Sequence, residues 1–381
     1  MDSGMPNRTH RSRAILALCA LLFTGLVATA CARPPDTVSS RSSTNAARST
    51  TGAPEPAPEE SWDRDALVSA QPCLVALSDG EEPSLRAARL DGRIVADNLW
   101  KPPAGTYVLL LDADERGPRV ALAVSRVATE APAASRDSFV VLSDDGAVTT
   151  ASEATTDFPL ASAAVFLDNG NLLWLRRRET QSSIETTLGL TDGRTGKITP
   201  VVLSGAWPKH RFVASLVPLR AGTAVAVVLK TDGSAAPHDD FAVVLADCRN
   251  GKLVVRSTAY QDDTLFTLGL GPARGTLVYA RADSEESSQA DELIQLVPSG
   301  SKWVPKTLLR DAGCDPGFDF QHVCSGGPDR SVLFRTAGDP AAPTPAARLM
   351  LLPQGATRPK GTGVVCDRVG NQWLWLGKPI R

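Results

Sequence analysis

The chain is short of the residues from which most enzyme and metal sites are built. Four histidines, three methionines and 5% aromatic residues are spread over 381 positions. No Cys-x-x-Cys pair and no histidine cluster occurs, which excludes the usual structural zinc spacings. No Gly-x-Ser-x-Gly elbow and no Ser-x-Asp-x-Gly-x-x-Trp box is present, so His210, His238 and His322 stand beside no recognisable nucleophile motif. Neither sign of charge dominates: 40 basic residues face 42 acidic ones, which leaves no electrostatic footprint for nucleic acid. Beyond residue 28 no apolar run approaches membrane-spanning length. Helical periodicity is scarce too. Its one candidate after the start of the chain, Glu285 to Gln295, is polar, which argues against the long amphipathic helices of an α/β solute-binding fold.

What the chain has is a recurrent turn. Gly92, Gly146, Gly196, Gly251, Gly300 and Gly355 each sit in a polar turn after an apolar strand, with gaps of 54, 50, 55, 49 and 55 residues. A second set, Gly117, Gly170, Gly222 and Gly275, recurs at 53, 52 and 53. It lies between nearly continuous apolar strands, the pattern of strands buried on both faces. A period of about 50 residues carried by strands alone predicts an all-β array of four-stranded blades. The first glycine has one strand before it, near Cys73 to Ser78. The missing partner is expected from the chain end, near Gln372 to Leu376, which would close the ring and remove both sheet edges. The count is then a six-bladed β-propeller, with seven as the alternative if VVCDRVGNQWLWLG makes two strands.

The strings SAAVFLDNGNLLWLRRR and TLGLGPARGTLVYARAD resemble degenerate versions of the turn in TolB-like and WD-type propeller repeats. The resemblance covers about residues 70 to 381, lacks the Ser-Pro-Asp of that turn, and is one of repeat shape. It implies the propeller and carries over no function. LTDGRTGK, residues 190 to 197, is read as a capped turn.

The start of the chain reads as an export signal. Arg8, Arg11 and Arg13 precede a short apolar stretch from Ala14 to Ala28, and Val-Ala-Thr-Ala-Cys follows at 27 to 31. This resembles a bacterial lipobox, which implies lipidation at Cys31; ordinary cleavage after Ala30 is the plainer reading. Residues 31–61 are Ser-, Thr- and Pro-rich, a composition that cannot bury enough surface to order itself. About 30 such residues make a tether spanning on the order of 30 Å. The division is therefore a signal peptide at 1–30, a tether at 31–61 and a propeller at 62–381, anchored to the membrane on its extracytoplasmic face and monomeric.

Export places the remaining cysteines in an oxidising compartment. The expected bridges are Cys314–Cys324 and Cys73–Cys366, the second locking the closing strand, with Cys248 left as a free thiol. Connectivity stays open, because Cys314 and Cys366 stand one period apart.

Candidate binding residues lie where each outer strand crosses to the next blade. These crossings supply Trp100, Lys101, Asp157, Trp207, Lys209, His210, Arg211, Tyr260, Asp262, Asp263, Asp311, Asp315 and Asp319. Aromatics mixed with charges in equivalent loops suit a sugar or peptide, although Asp and Pro are also ordinary turn residues. Asp112-Ala113-Asp114-Glu115 lacks the later glutamate of a calcium loop. Adjacent carboxylates such as Asp262-Asp263 point to opposite faces of a strand, so adjacency alone makes no acid/base pair. No cofactor and no metal is expected. The pattern predicts a scaffold that binds an envelope protein or glycan; a propeller enzyme acting on glycans and a ligand sensor without catalysis are the alternatives.

Overall fold

The computed structural model describes residues 62–377, except 79–81, 115, 127–135, 154–162, 180–183, 209–210, 232–240, 263–264, 272, 274, 282–291, 301, 311–317, 325–328, 330, 337–345 and 371. Residues 58–381 cluster as one compact unit. Cys31, the signal and the whole tether lie outside the described residues.

The described strands form six antiparallel four-stranded units. The first holds β1 (Cys73–Leu77), β2 (Leu85–Ala88) and β3 (Ile94–Trp100). The second holds β4 (Thr106–Asp114), β5 (Arg119–Arg126), β6 (Arg136–Leu142) and β7 (Val148–Glu153). The third holds β8 (Ala163–Phe166), β9 (Leu172–Glu179), β10 (Ile184–Thr191) and β11 (Ile198–Ser204). The fourth holds β12 (Arg211–Pro218), β13 (Ala224–Thr231), β14 (Phe241–Arg249) and β15 (Lys252–Asp262). The fifth holds β16 (Leu265–Leu270), β17 (Leu277–Arg281), β18 (Glu292–Ser299) and β19 (Lys302–Arg310). The sixth holds β20 (Phe318–Cys324), β21 (Val332–Thr336), β22 (Arg348–Leu352) and β23 (Lys360–Val365). The last strand, β24 (Gln372–Leu376), returns to the first unit and pairs with β1 from Cys73↔Leu376 to Leu77↔Gln372. The closing strand is therefore the one the sequence predicts.

The turn glycines also fall as expected. All six outer-hairpin glycines have φ between 61 and 89°, backbone that a side chain disfavours. Gly92 has a further reason to be glycine. A Cβ there would lie 2.2 Å from the Gly363 carbonyl oxygen, where the first unit's turn meets β23 of the sixth.

Burial explains the apolar strands. Along β1, Cys73, Val75 and Leu77 join one cluster with the second unit, while Leu74 and Ala76 join another with the sixth. Further clusters lie between the second and third units, third and fourth, fourth and fifth, and fifth and sixth. Each sheet is thus buried on both faces, and the last cluster closes the ring of interfaces. The arrangement is that of a β-propeller.

Three features depart from expectation. First, a short helix, α1 (Arg64–Ala70), precedes β1. Asp63 caps it by accepting from the Ala66 N–H at 2.9 Å, and Leu67 and Ala70 are buried. Seven residues are too few to show a helical period. Of the polar candidate helix at 285 to 295, residues 292–295 belong to β18 and the rest lie outside the described residues. Second, the outer strands of the third and fourth units pair with each other in parallel, Val202↔Lys252, Leu203↔Leu253 and Ser204↔Val254, so that the two units merge into one eight-stranded sheet.

The third departure concerns cysteine. Cys73 is a free, buried thiol, which corrects the expected Cys73–Cys366 bridge. Cys73 points to the side of β1 facing the second unit. Cys366 opens α2 (Cys366–Val369), a single turn after β23 whose Val369 packs on the opposite face of β1, with the sixth unit. Cys73 is thus turned away from the sixth unit, to which the turn of Cys366 belongs. Cys248 is free and buried, as expected. Cys314 lies outside the described residues and Cys324 ends β20.

Candidate functional site

Within each unit the strands run antiparallel from inner to outer. The turns after the first and third strands therefore lie at one end of the ring. The crossings and the connections after the second strands lie at the other. The glycine turns mark the first end, and the predicted binding residues belong to the second.

At the crossing end the structure gathers only part of the predicted set. Trp100 ends β3 at 2% exposure, packed with Trp62, Leu67 and Leu99 in the core between the first two units. It is a core residue and not a loop-tip anchor. Its sequence neighbours Lys101, Pro102 and Pro103 look like loop, but the strand carries the indole inward before they begin. Trp207 is half-buried against the cluster of the third and fourth units, and its Nε1 donates to the Ser204 carbonyl at 3.0 Å. Tyr260 and Asp262 lie within β15 and pair with Val243 and Phe241, so they belong to a ladder and not to a loop tip. Arg211 opens β12 and pairs with Thr231, and Asp319 in β20 pairs with Arg335. Asp157, His210, Asp263 and Asp315 lie outside the described residues. One residue was not singled out by sequence. Tyr107, second in β4, is 59% exposed, the one large aromatic among the described residues with that character. Its string, TYVLLLDAD, reads as uniformly buried. Only its place beside the crossing distinguishes it.

The turn end holds the densest polar constellation among the described residues. Asp112 and Asp114 close β4 and are almost wholly buried. Arg220, in the turn between β12 and β13, reaches back across the third unit. Its Nη2 donates to Asp112 Oδ1 and to the Ala113 carbonyl, both at 2.8 Å, and its Nη1 to the Phe166 carbonyl at 3.1 Å. The other oxygen of Asp112 accepts the Phe166 N–H at 2.7 Å. One guanidinium and one carboxylate therefore join three consecutive units. Arg220 holds φ 54°, left-handed backbone rare for a residue with a side chain.

A second layer supports the first. Arg119 Nη2 contacts Asp114 Oδ2 at 2.7 Å, and its Nη1 donates to the Gly170 carbonyl at 2.8 Å. Arg116 Nη1 lies 2.9 Å from Asp168 Oδ1, and Asp168 Oδ2 accepts the Gly222 N–H at 2.6 Å. Burial raises the pKa of Asp112 above the usual carboxylate range, opposed by Arg220 and by the hydrogen bond from the Phe166 N–H. The Asp112–Asp114 pair is thus engaged by arginines.

The innermost edge is tied as well: the Gln372 Oε1 accepts the Leu110 N–H at 2.6 Å, joining the closing strand to β4. Asp192 caps LTDGRTGK by accepting from the N–H groups of Arg194 and Thr195, at 2.9 and 2.7 Å, which lowers its pKa, Thr195 being the larger cause. The thiols of Cys73 and Cys248 are poor nucleophiles. Burial pushes Cys73 up to about 12 against the pull of Arg89, and Cys248 up to about 11 with help from Asp247, so neither is a thiolate near neutrality. Among the described residues, no group of three or more His, Cys, Asp or Glu is placed to hold a metal.

No protein-family model matches the chain, and no curated protein is significantly similar to it. Solved structures resemble it in shape only. A Mycobacterium tuberculosis puromycin-hydrolyzing peptidase matches over 80% of this chain and 55% of its own, at 15% identity and TM-score 0.40. Porphyromonas gingivalis dipeptidyl peptidase 4 matches over 77% and 53%, at 11% and 0.37. An ACO/RPE65 chimera matches over 79% and 72%, at 8% and 0.44. The chain spans about half the length of the two peptidases.

Proposed function

We propose that the protein is a binding scaffold of the cell envelope that does no bond-breaking chemistry. Lipid at Cys31 anchors it to the membrane on the extracytoplasmic side, and the TolB-like repeat shape fits such a module. Its crossing end meets an envelope protein or glycan. The observation that carries this reading is the contrast between the two ends. At the turn end, Asp112, Asp114, Asp168 and three arginines are spent on one another and on main-chain carbonyls. At the crossing end, Tyr107 stands 59% exposed near exposed Lys101. An exposed aromatic with a polar tip on a rigid ring is the usual form of an interface anchor.

The test is capture of envelope protein or cell-wall glycan by wild type and by a Tyr107→Ala/Trp207→Ala variant, with circular dichroism as the folding control. Capture should fall at least about tenfold, since such anchors carry roughly 2 kcal/mol each. Undiminished capture by the folded variant would refute the assignment. So would turnover of a cell-wall glycan that vanished on replacing one crossing-loop carboxylate. Separately, a Cys31→Ser chain should lose lipid labelling and leave the membrane fraction.

A further inference from the structure

The parallel junction between the third and fourth units exposes a strip that neither the ring nor its crossing end uses. Val201 of β11 is buried, so the strand alternation turns Ile198, Pro200 and Val202 outward. Ile198 is 46% and Val202 62% exposed. Val202 pairs with Lys252, and Ser204 with Val254, itself 37% exposed. Lys252, Val254 and Arg256 share the outward face of β15, and Arg249 stands opposite Lys252 across the β14–β15 ladder. The border carries three cations. The carboxylate beside them, Asp247, is largely buried and already bridged to Arg256 and Arg249. The result is an aliphatic strip flanked by net positive charge.

We infer that this strip is a docking surface for an anionic lipid bilayer. Three observations select that occupant. The flanking cations repel a second copy of the same surface and attract an anionic one. The main chains of β11 and β15 are hydrogen-bonded to each other over residues 202–204. Over those residues the pairing occupies main-chain groups that a bilayer does not tolerate open. Its apolar residues are aliphatic, without the aromatic anchors that mark protein interfaces. Peripheral attachment of this kind combines buried apolar area with attraction to anionic headgroups. The inference rests on the proposed anchor in one respect only: about 30 tether residues hold the domain within a few tens of Å of the membrane, where a weak surface suffices.

The experiment removes the anchor. The mature chain from residue 31, carrying Cys31→Ser, is mixed with vesicles of zwitterionic lipid alone or with 30% anionic lipid, and the bound fraction is measured by sedimentation. Binding should require the anionic lipid and fall in high salt. Lys252→Glu should weaken it roughly fivefold or more, as about 1 kcal/mol per cation implies. Val202→Ser with Val254→Ser should weaken it further, with unchanged circular dichroism because both side chains are already substantially exposed. Failure of the Cys31→Ser chain to bind anionic vesicles overturns the inference while leaving lipidation intact. Equal binding by the strip variants overturns it as well. A dimer that Val202→Ser dissolves assigns the strip to a second copy and does the same.

Discussion

Replacing Arg220 should reveal how much of the ring's stability rests on its turn end. In an Arg220→Met chain the aliphatic volume is kept, but Asp112 loses its cation and retains only main-chain donors, the N–H groups of Phe166 and Ala113, while the carbonyls of Ala113 and Phe166 lose a donor. Asp112 is 5% exposed, so little water can compensate. Breaking a buried pair from one side costs about 3–5 kcal/mol. That loss should appear as a lower urea midpoint with an unchanged slope. Arg220→Gly makes the same loss but relieves the backbone at φ 54°, so it should be less destabilising by about 1 kcal/mol. The pH dependence has a definite sign. A protonated Asp112 needs no cation, so the deficit of either variant should shrink as pH falls below the raised pKa of Asp112. Midpoints within about 1 kcal/mol of wild type, or a deficit that does not change with pH, would show that Arg220 decorates the turn and does not hold it.

Other expectations follow from the same geometry. In the wild type, Asp112 is protonated more readily folded than unfolded, so its contribution to stability is present below about pH 3.9 and lost as pH rises through its raised folded value; Asp112→Asn should remove that component from the urea midpoint measured against pH. Cys73 and Cys248 should resist a thiol reagent at pH 8 in the folded protein and react in denaturant, as mass spectrometry would read. Gly189→Ala should destabilise by about 1–3 kcal/mol, since a Cβ there would sit 1.9 Å from the Trp174 ring, whose Nε1 is held by Thr191; thermal melting checks it. Deleting residues 370–381 removes Trp373 and Trp375 and leaves β1 and the first unit with an open edge, so the truncated chain should aggregate or melt far below wild type in light scattering.

The ring was legible because its determinants are local and periodic. A positive-φ glycine within each outer turn, and apolar strands on both sides of it, leave marks a reader can count. The closing strand was legible by subtraction, since the first unit lacked one. The turn-end network leaves no such mark. Asp112 and Arg220 stand 108 residues apart, and each looks like an ordinary turn residue where it lies. The parallel pairing of β11 with β15 has no sequence signal either, because the same outer strands would be equally plausible as free edges. Trp100 was misplaced by its neighbours, for the Lys-Pro-Pro that follows it has loop composition while the indole already belongs to the core. At the crossing end, Tyr107 hides in a string whose other members are mostly buried. Exposure there depends on where the strand enters the ring, which composition does not encode.

The pairing of β1 with β24 also sets an order of events. The two strands are about 300 residues apart in the chain, so the first sheet must wait for the last strand to be made. Until then β1 presents an unpaired edge, and the cluster shared by Leu74, Ala76, Leu333 and Leu349 lacks Trp373 and the Leu374 and Trp375 packed beside it. The five later units can assemble from local pairings as they emerge, but joining the ends carries the largest loop-closure entropy among the described strand pairings. Ring completion is thus the natural last step of folding. A chain halted a dozen residues early would carry nearly all of its blades and still lack the contact that makes them a circle.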